Sequence, residues 1–590
     1  MSFVGRAPAL LLALLITNTN LVAAQDSLAA GALPPSPPPD SIAEISRVPI
    51  APYEVPAGPM VPWSRLSFNR DSIIWNSSIT LADLLTAVPG VFVARGGFRG
   101  LPEYAVYAGR GAAAIEIYWD GHRLTPVGRD SIYIDPGEIP LTYLRRVEFE
   151  PTPSVLRVYL VSERQEEIEA RSIVRFVTGD FGTGAYSGIF QKRWAQGLGF
   201  NVGVDFMTTD GASGPGRSDQ LVDIWIKGEW NPDSTAGVSY QFRRHSVDSD
   251  PVQTLTGVTG VPARLGNRTD LLFSMFRSTE SQGRGLRFDG GVWASSWTDD
   301  TLDLDQDVRS IFVGVRYSGR RFSAETRARF ADMWIRNSFE SRLNWSPVNS
   351  VVIGGYARRG SYTGERRSYR IEGTAGISGG PFSIVGTVSK ARAIEAPSLV
   401  ADTGQVVADF GVRVGMSTRR ISGHVGLVRR DGYQPSSFPQ LPVIASFDSS
   451  RQATYIEARA VLRPWSYLTI DAWYSDPGSA TLDFQPPNHT RLQLTFRSKF
   501  WRTFRSGAFD LKAQISMDSW SRGTAGLSDA GLPIELRGIT FYETYLEFQI
   551  VGFTMFWNMR NAYNAQEQYV PGLEYPRSAQ TYGVRWEFSD

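Results

Sequence analysis

The chain of 590 residues has no cysteine and only four histidines. The first fact excludes disulfides and thiolate metal sites. His122, His245, His424 and His489 are scattered too widely for metal-ligand spacing, although carboxylates alone leave a metal site open. An excess of one charge is also missing. The 60 Lys and Arg stand against 59 Asp and Glu, which points away from nucleic acid and from disorder. Past the N-terminus no apolar run approaches the roughly 20 residues of a membrane-spanning helix, so any membrane role falls to strands. Nucleophile elbows, His-Glu-x-x-His helices and phosphate-binding loops are absent as well. The residues therefore define no enzyme and imply no cofactor.

What is present divides the chain into four regions. Arg6, the apolar run from Ala7 to Ile16 and the small residues Val22-Ala23-Ala24 read as a cleaved signal peptide over residues 1–24. Residues 25–62 are rich in Pro, Ala and Ser and include Leu33-Pro34-Pro35-Ser36-Pro37-Pro38-Pro39. Such a leader has little to bury and favours polyproline II. It is either a solvated spacer or a periplasmic tether that a partner grasps.

Residues 63–165 have the size and mixed pattern of a small α/β domain. A helix is predicted from Leu81 to Val88, capped by Ser78 or Thr80 and stopped by Pro89-Gly90. Strands are predicted at Val91 to Ala94, Tyr104 to Ala108, Ala114 to Trp119, Arg146 to Glu150 and Leu156 to Val161.

Residues 166–590 repeat a strict two-residue alternation. Near the C-terminus Tyr582, Val584, Trp586 and Phe588 share one face while Thr581, Arg585 and Glu587 share the other. Alternation alone also suits a soluble sandwich, so the connections decide. Those after even-numbered strands are short, as at Asn231-Pro232-Asp233, Ser346 to Asn349, Ser378 to Pro381, Arg419-Arg420 and Val551-Gly552. Those after odd-numbered strands are long, as at 209–219, 245–268, 431–450, 475–489, 519–533 and 564–578, with one exception, a tight turn near Arg336-Asn337. The fold predicted is an antiparallel transmembrane barrel of about 22 strands, with periplasmic turns and extracellular loops, whose lumen holds residues 63–165. Trp334, Trp345, Trp465, Tyr474, Trp501 and Tyr563 suit the interfacial girdles of such a wall.

The domain before the barrel carries Thr80 to Val93, Tyr107-Ala108-Gly109-Arg110-Gly111, Ile115 to Leu124, Ile139-Pro140-Leu141 and Leu144 to Phe149. In order and spacing these resemble the plug of TonB-dependent receptors: the helix and strand that open it, its Arg-Gly element, its strand ending in Asp-Gly, and its last segments. After Glu148 the family has an Arg-Gly-Pro turn and a Gly-rich stretch, whereas this chain has Glu150-Pro151-Thr152-Pro153-Ser154-Val155-Leu156, so the plug is locally abbreviated.

The resemblance implies ligand uptake across the outer membrane, driven by a TonB-like periplasmic protein. It places Arg95, Phe98 and Arg99 in the apical loop that faces incoming ligand, where stacking and charge are on offer. The candidate for the segment that the energy-coupling partner grasps is Glu44-Ile45-Ser46-Arg47-Val48, within the proline-free run Ser41 to Val48. Strand addition suits such a run because main-chain hydrogen bonds carry it.

Two clusters in predicted outer loops remain. Asp299, Asp300, Asp303, Asp305 and Asp307 form either a solvated acidic loop or a calcium site. Arg358, Arg359, Arg366, Arg367 and Arg370 face either an anionic substrate or the phosphates of lipopolysaccharide. Expected partners are thus outer-membrane lipids, lipopolysaccharide, the coupling protein and a small-molecule, glycan or peptide ligand. Two other readings stand beside transport: a plugged barrel that serves as surface receptor, adhesin or structural protein, and a secreted soluble β protein.

Overall fold

The computed structural model describes residues 55–589 except 57, 61, 75–76, 97–99, 129–131, 212–218, 254–258, 437–443, 445, 448–451, 479–487, 502, 505–507, 566–571, 574 and 576–577. Two bodies, one inside the other, make up this part.

The inner body begins with β1 (Leu66–Asn69) and the short helix α1 (Arg70–Ile74), neither of which the sequence pattern reveals. Helix α2 (Leu81–Leu85) follows; Thr80 caps it in extended conformation and Asp83 closes a capping box. The helix is shorter than the predicted run to Val88, because the chain turns through residues 86–90 to reach Gly90, whose φ of 79° lies in the left-handed region. Strands β2 (Val91–Ala94) and β3 (Tyr104–Tyr107) pair as a hairpin. Then come β4 (Ile115–Trp119), β5 (His122–Arg123), β6 (Leu144–Pro151) and β7 (Leu156–Ser162), which with β1 form one sheet in the order β1-β6-β7-β4-β5. The β4–β5 turn is Asp120-Gly121, both at positive φ, which is the two-residue geometry that matches strand twist. Where the family carries a Gly-rich stretch, β6 and β7 are joined by the tight turn 152–155, held by Thr152 N–H donating to the Val155 carbonyl at 2.9 Å.

The outer body is a closed antiparallel barrel of 22 strands. Its first strand, Arg171–Gly179, pairs with its last, Ala579–Ser589, so no sheet edge is left open. At one rim most connections are two to four residues, among them 194–197, 234–235, 349–350, 380–381, 466–467 and 551–552; the run 499–508 is longer. At the other rim lie the long ones, 250–263, 394–404, 431–452, 521–538 and 561–578. That rim also has short connections at 180–183, 300–303, 332–334 and 363–366.

The tight turn expected near Arg336-Asn337 is therefore at 332–334, and Arg336-Asn337 lies in strand Ile335–Val348 where its register shifts. Trp334 is not a girdle residue: at positive φ it turns inward and packs with Val127 and Trp297. Trp345, Trp465, Trp501 and Tyr563 do face outward.

Alternation explains the wall. On strand Asp219–Asp233 the residues Asp223, Trp225, Lys227 and Glu229 are buried in the lumen. On Ala579–Ser589 the residues Tyr582, Trp586 and Phe588 are exposed on the outside. An apolar exterior on a closed ring is the one sheet arrangement that spans a bilayer with every backbone group paired. No helix of the described residues is long and apolar enough to cross a membrane.

Leu81, Leu84, Leu85, Val88, Ile117, Leu144, Val147, Phe149 and Val158 of the inner body share one apolar core with Trp225, Leu272, Trp293, Phe312 and Tyr455 of the wall. Polar contacts reach the wall around its circumference. Thr142 Oγ1 donates to Asp205 at 2.7 Å, Trp119 Nε1 to Gln241 at 3.1 Å, and Asp83 accepts from Arg560 at 2.8 Å. Arg585 donates to the Ile74 carbonyl at 2.9 Å. The inner body is a plug that fills the lumen.

Candidate ligand-binding site

β4 puts Glu116 between plug and wall, in the half of the barrel nearer the long loops. Its Oε1 accepts from Arg370 at 2.9 Å and Arg358 at 3.1 Å, and Arg123 and Arg157 stand at 3.4 and 3.8 Å. Burial alone raises a carboxyl, yet Arg123, Arg370, Arg358 and Arg157 together hold Glu116 well below the ordinary range. The β6–β7 arm continues the network. Glu150 takes both guanidinium nitrogens of Arg342, at 2.6 and 2.9 Å, and Arg157 donates to Glu372 at 2.8 Å while lying over the Tyr356 ring. Arg110, from the Arg-Gly element, donates to Asp409, whose other oxygen accepts from Ser154 at 2.6 Å. Arg358 and Arg370 on Glu116, Arg342 on Glu150, Glu372 on Arg157 and Asp409 on Arg110 and Ser154 join plug to wall, whereas Arg123 and Arg157 reach Glu116 from within the plug.

Above this network two small cavities meet, of about 90 and about 50 Å³. Their shared lining is Ala113, Glu116, Arg123, Arg358, Tyr362, Ile394 and Glu395. The larger adds Tyr118, His122, Phe312, Arg327, Arg329 and Glu340; the smaller adds Arg110, Arg370 and Tyr433. Seven arginines border the two cavities; Arg392 is exposed on the outward face, and the guanidiniums of the other six, Arg110, Arg123, Arg327, Arg329, Arg358 and Arg370, stand with three carboxyls, from Glu116, Glu340 and Glu395. Burial raises the Glu395 carboxyl above its ordinary value, against the hydrogen bond it accepts from Ser436 N at 2.6 Å. His122, buried against Phe312 with ring centroids 4.0 Å apart, is pushed well below its usual value by burial and by Arg327 and Arg329, so its imidazole is neutral. The vestibule is cationic, with aromatic walls.

A third and larger cavity, about 550 Å³, opens on the opposite side of the plug. It separates β1 and α1 from the short-turn ends of the wall near Arg459, Asp471, Gln493, Arg497, Lys512 and Gln514. A fourth, small one holds Arg95.

The predicted site residues fall out as follows. Arg95 is buried and ion-paired within the plug, to Asp83 at 3.0 Å and Glu103 at 3.3 Å. Phe98 and Arg99 lie outside the described residues, as do Glu44, Ile45, Ser46, Arg47 and Val48.

The arginine cluster is split by alternation. Arg358 and Arg370 point inward to Glu116, and Arg366 is buried, donating to the carbonyls of Thr363, Pro397 and Leu399. Arg359 and Arg367 are exposed outside. Among the aspartates, Asp299 caps its own turn by accepting from Thr301 N at 3.0 Å, and Asp305 and Asp307 sit on strand Leu304–Ser318. Among the described residues no three His, Cys, Asp or Glu are placed to hold a metal ion.

Sequence reading missed Glu116, Arg123, Arg327 and Arg329 as a site. The one available signal was a charged residue at every second position on the inward faces.

Fold and site together define a class of architecture: a closed 22-stranded barrel with a plug in its lumen, the fold of TonB-dependent receptors. No family model matches the chain, and no curated relative does. Among solved structures it is similar to the siderophore receptor PirA from Acinetobacter baumannii, with TM-score 0.68, 9% identity, and 89% of this chain and 98% of that chain covered. A mutant of the ferric enterobactin receptor PfeA from Pseudomonas aeruginosa gives TM-score 0.69 at 9% identity, covering 90% and 98%. The copper transporter OprC gives 0.67 at 11%, covering 92% and 100%. At such identities the likeness establishes the fold.

Proposed function

We propose that this protein is an outer-membrane receptor that takes up a scarce external ligand by energy-coupled transport. The observation that carries the reading is the plug itself. A folded body fills the lumen and is fastened by buried ion pairs, with a cationic, aromatic-walled vestibule on the long-loop side. A passive pore has no use for such a stopper, and a receptor needs both the site and a removable floor. The similar structures, named as receptors or transporters for a siderophore, ferric enterobactin and copper, favour a small metal-carrying ligand, and six guanidiniums favour an anionic one.

In this reading residues 1–24 are removed on export, and residues 25–62 are the periplasmic tether. A TonB-like protein takes Ser41 to Val48 as an added strand and pulls on the plug. Deleting Ser41 to Val48 tests the coupling: uptake is expected to stop while barrel insertion and surface binding persist. Uptake that survives the deletion overturns coupling through this segment. If uptake is also missing in the intact protein, the plugged-receptor or adhesin reading takes its place.

A further inference from the structure

The outward face of three neighbouring strands, Val351–Tyr362, Arg367–Gly379 and Phe382–Ala393, carries a second cationic group that the plug network does not use. Cross-strand register sets Arg359 opposite Tyr369 and Tyr369 opposite Arg392, in one row over three strands. One step toward the loops, Arg367 lies opposite Ser361; one step toward the membrane, Lys390 lies opposite Ile371. Strand spacing of about 4.8 Å and a two-residue repeat of about 6.7 Å confine the four cations to a patch on the order of 10 by 13 Å. All four are exposed and fall within the last four residues at the loop-side ends of their strands. Among the described residues none of the four side chains makes an ion pair or a hydrogen bond, whereas those of Arg358, Arg366 and Arg370 on the inward side are all engaged.

Directly below the patch the wall is apolar and open, with Ile353, Ile371, Ile384 and Val388 exposed. A cluster of unpaired guanidiniums above a greasy wall is complementary to an amphiphile with phosphates at the head and acyl chains beneath. In the outer leaflet that amphiphile is lipopolysaccharide. We propose that Arg359, Arg367, Lys390 and Arg392 form a binding site for the phosphorylated headgroup of one lipopolysaccharide molecule, its acyl chains lying along Ile371, Ile384 and Val388. Lys390 and the arginines hold the phosphates, and the Tyr369 hydroxyl donates to a headgroup oxygen. The site is independent of uptake and requires only that the barrel stand in the outer membrane.

The test uses the full-length protein extracted from outer membranes in mild detergent, with co-purified lipopolysaccharide measured by mass spectrometry of its lipid A. Three forms are compared: wild type, a variant with Arg359→Gln, Arg367→Gln, Lys390→Gln and Arg392→Gln, and a charge-matched control. The control carries Arg277→Gln, Arg321→Gln, Arg419→Gln and Arg420→Gln at the short-turn rim. Heat-modifiable migration on gels reports folding in each. If the fourfold patch variant does not fold, the pair Arg359→Gln and Arg392→Gln replaces it.

The expected result is loss of most of the retained lipid in the patch variant and wild-type retention in the control. Re-addition of lipopolysaccharide restores binding to wild type only, dephosphorylated lipopolysaccharide does not bind, and millimolar inorganic phosphate does not displace the intact lipid. Equal retention in patch variant and wild type overturns the site. So does equal loss in patch variant and control, or full binding of the dephosphorylated lipid. Displacement by free phosphate overturns the assignment to a lipid headgroup.

Discussion

Single residues carry the plug's attachment, and two buried carboxyls show opposite electrostatic designs. Glu116 is ringed by four guanidiniums that outweigh its burial. Its folded-state pKa lies below the unfolded value of about 4.3. The stability it contributes is therefore complete above that value and is lost only as pH falls through the lower, folded-state pKa. Glu150, held down against burial by Arg342 and Arg65, behaves in the same way. The plug is accordingly expected to stay fastened at pH 5, with hydrogen exchange of its β6–β7 amides rising only below about pH 4.

Asp135 is the reverse case. Burial and the neighbouring Glu138 raise its carboxyl well above the ordinary value against the pull of Arg264, so its contribution falls as pH rises. Glu116→Gln, which leaves the arginines without their counter-charge, should cost about 3 kcal/mol. Asp135→Asn, which keeps an acceptor for Gly137 N at 2.8 Å, should cost much less or stabilise. Denaturant titration of the two variants at pH 7 checks the order; a larger loss in Asp135→Asn contradicts it. None of this was legible beforehand, because the pairs join residues far apart in sequence: Glu116 meets Arg358 and Arg370 across 242 and 254 positions.

Among the elements, the β6–β7 arm reaches five wall strands through hydrogen bonds, at Lys227, Arg342, Glu372, Ser389 and Asp409. Its turn brings Ser154 Oγ within 2.9 Å of Ser389 Oγ on the wall. In a chain with no cysteine, Ser154→Cys with Ser389→Cys offers a single crosslink of suitable reach. Oxidation is expected to abolish uptake and reduction to restore it, with ligand binding unchanged throughout. Uptake by the oxidised protein would show that this arm stays put during transport.

Elements were also where sequence reasoning succeeded best. The count of 22 followed from alternation and connection lengths, because each wall strand has one face toward lipid and the other toward a packed lumen, and the plug strands followed from short apolar runs between turns. Strand ends were misjudged for an identifiable reason. Pro232, Pro347 and Pro464 look like turn residues, yet each sits inside a strand where the pairing skips, between Trp230 and Asp233, Trp345 and Val348, and Leu462 and Trp465. A bulge leaves a residue unpaired, so proline's missing donor costs nothing there. The first plug strand was missed because β1, four residues long, gains its pairing only from β6, some eighty positions later.

The whole molecule is a wall and a stopper. Wall hydrogen bonds run strand to strand without the plug, so a chain with an export signal fused directly before Arg171 should insert and close. Its lumen would then be open, and cells should become sensitive to hydrophilic antibiotics too large for ordinary porins. Continued resistance, with heat-modifiable barrel present in the membrane, would show that the wall collapses inward once emptied. The closing seam between the first and last barrel strands has a consequence for the order of assembly. The plug precedes the first barrel strand in the chain, and the ring is complete only when the last strand arrives. An inner body gripped on all sides docks with the least rearrangement if it is gathered within the curling sheet before the seam is made. Construction then resembles building a cask around its contents: a chain that seals before the plug is gathered starts out empty, and timing, as much as affinity, decides whether the finished barrel leaks.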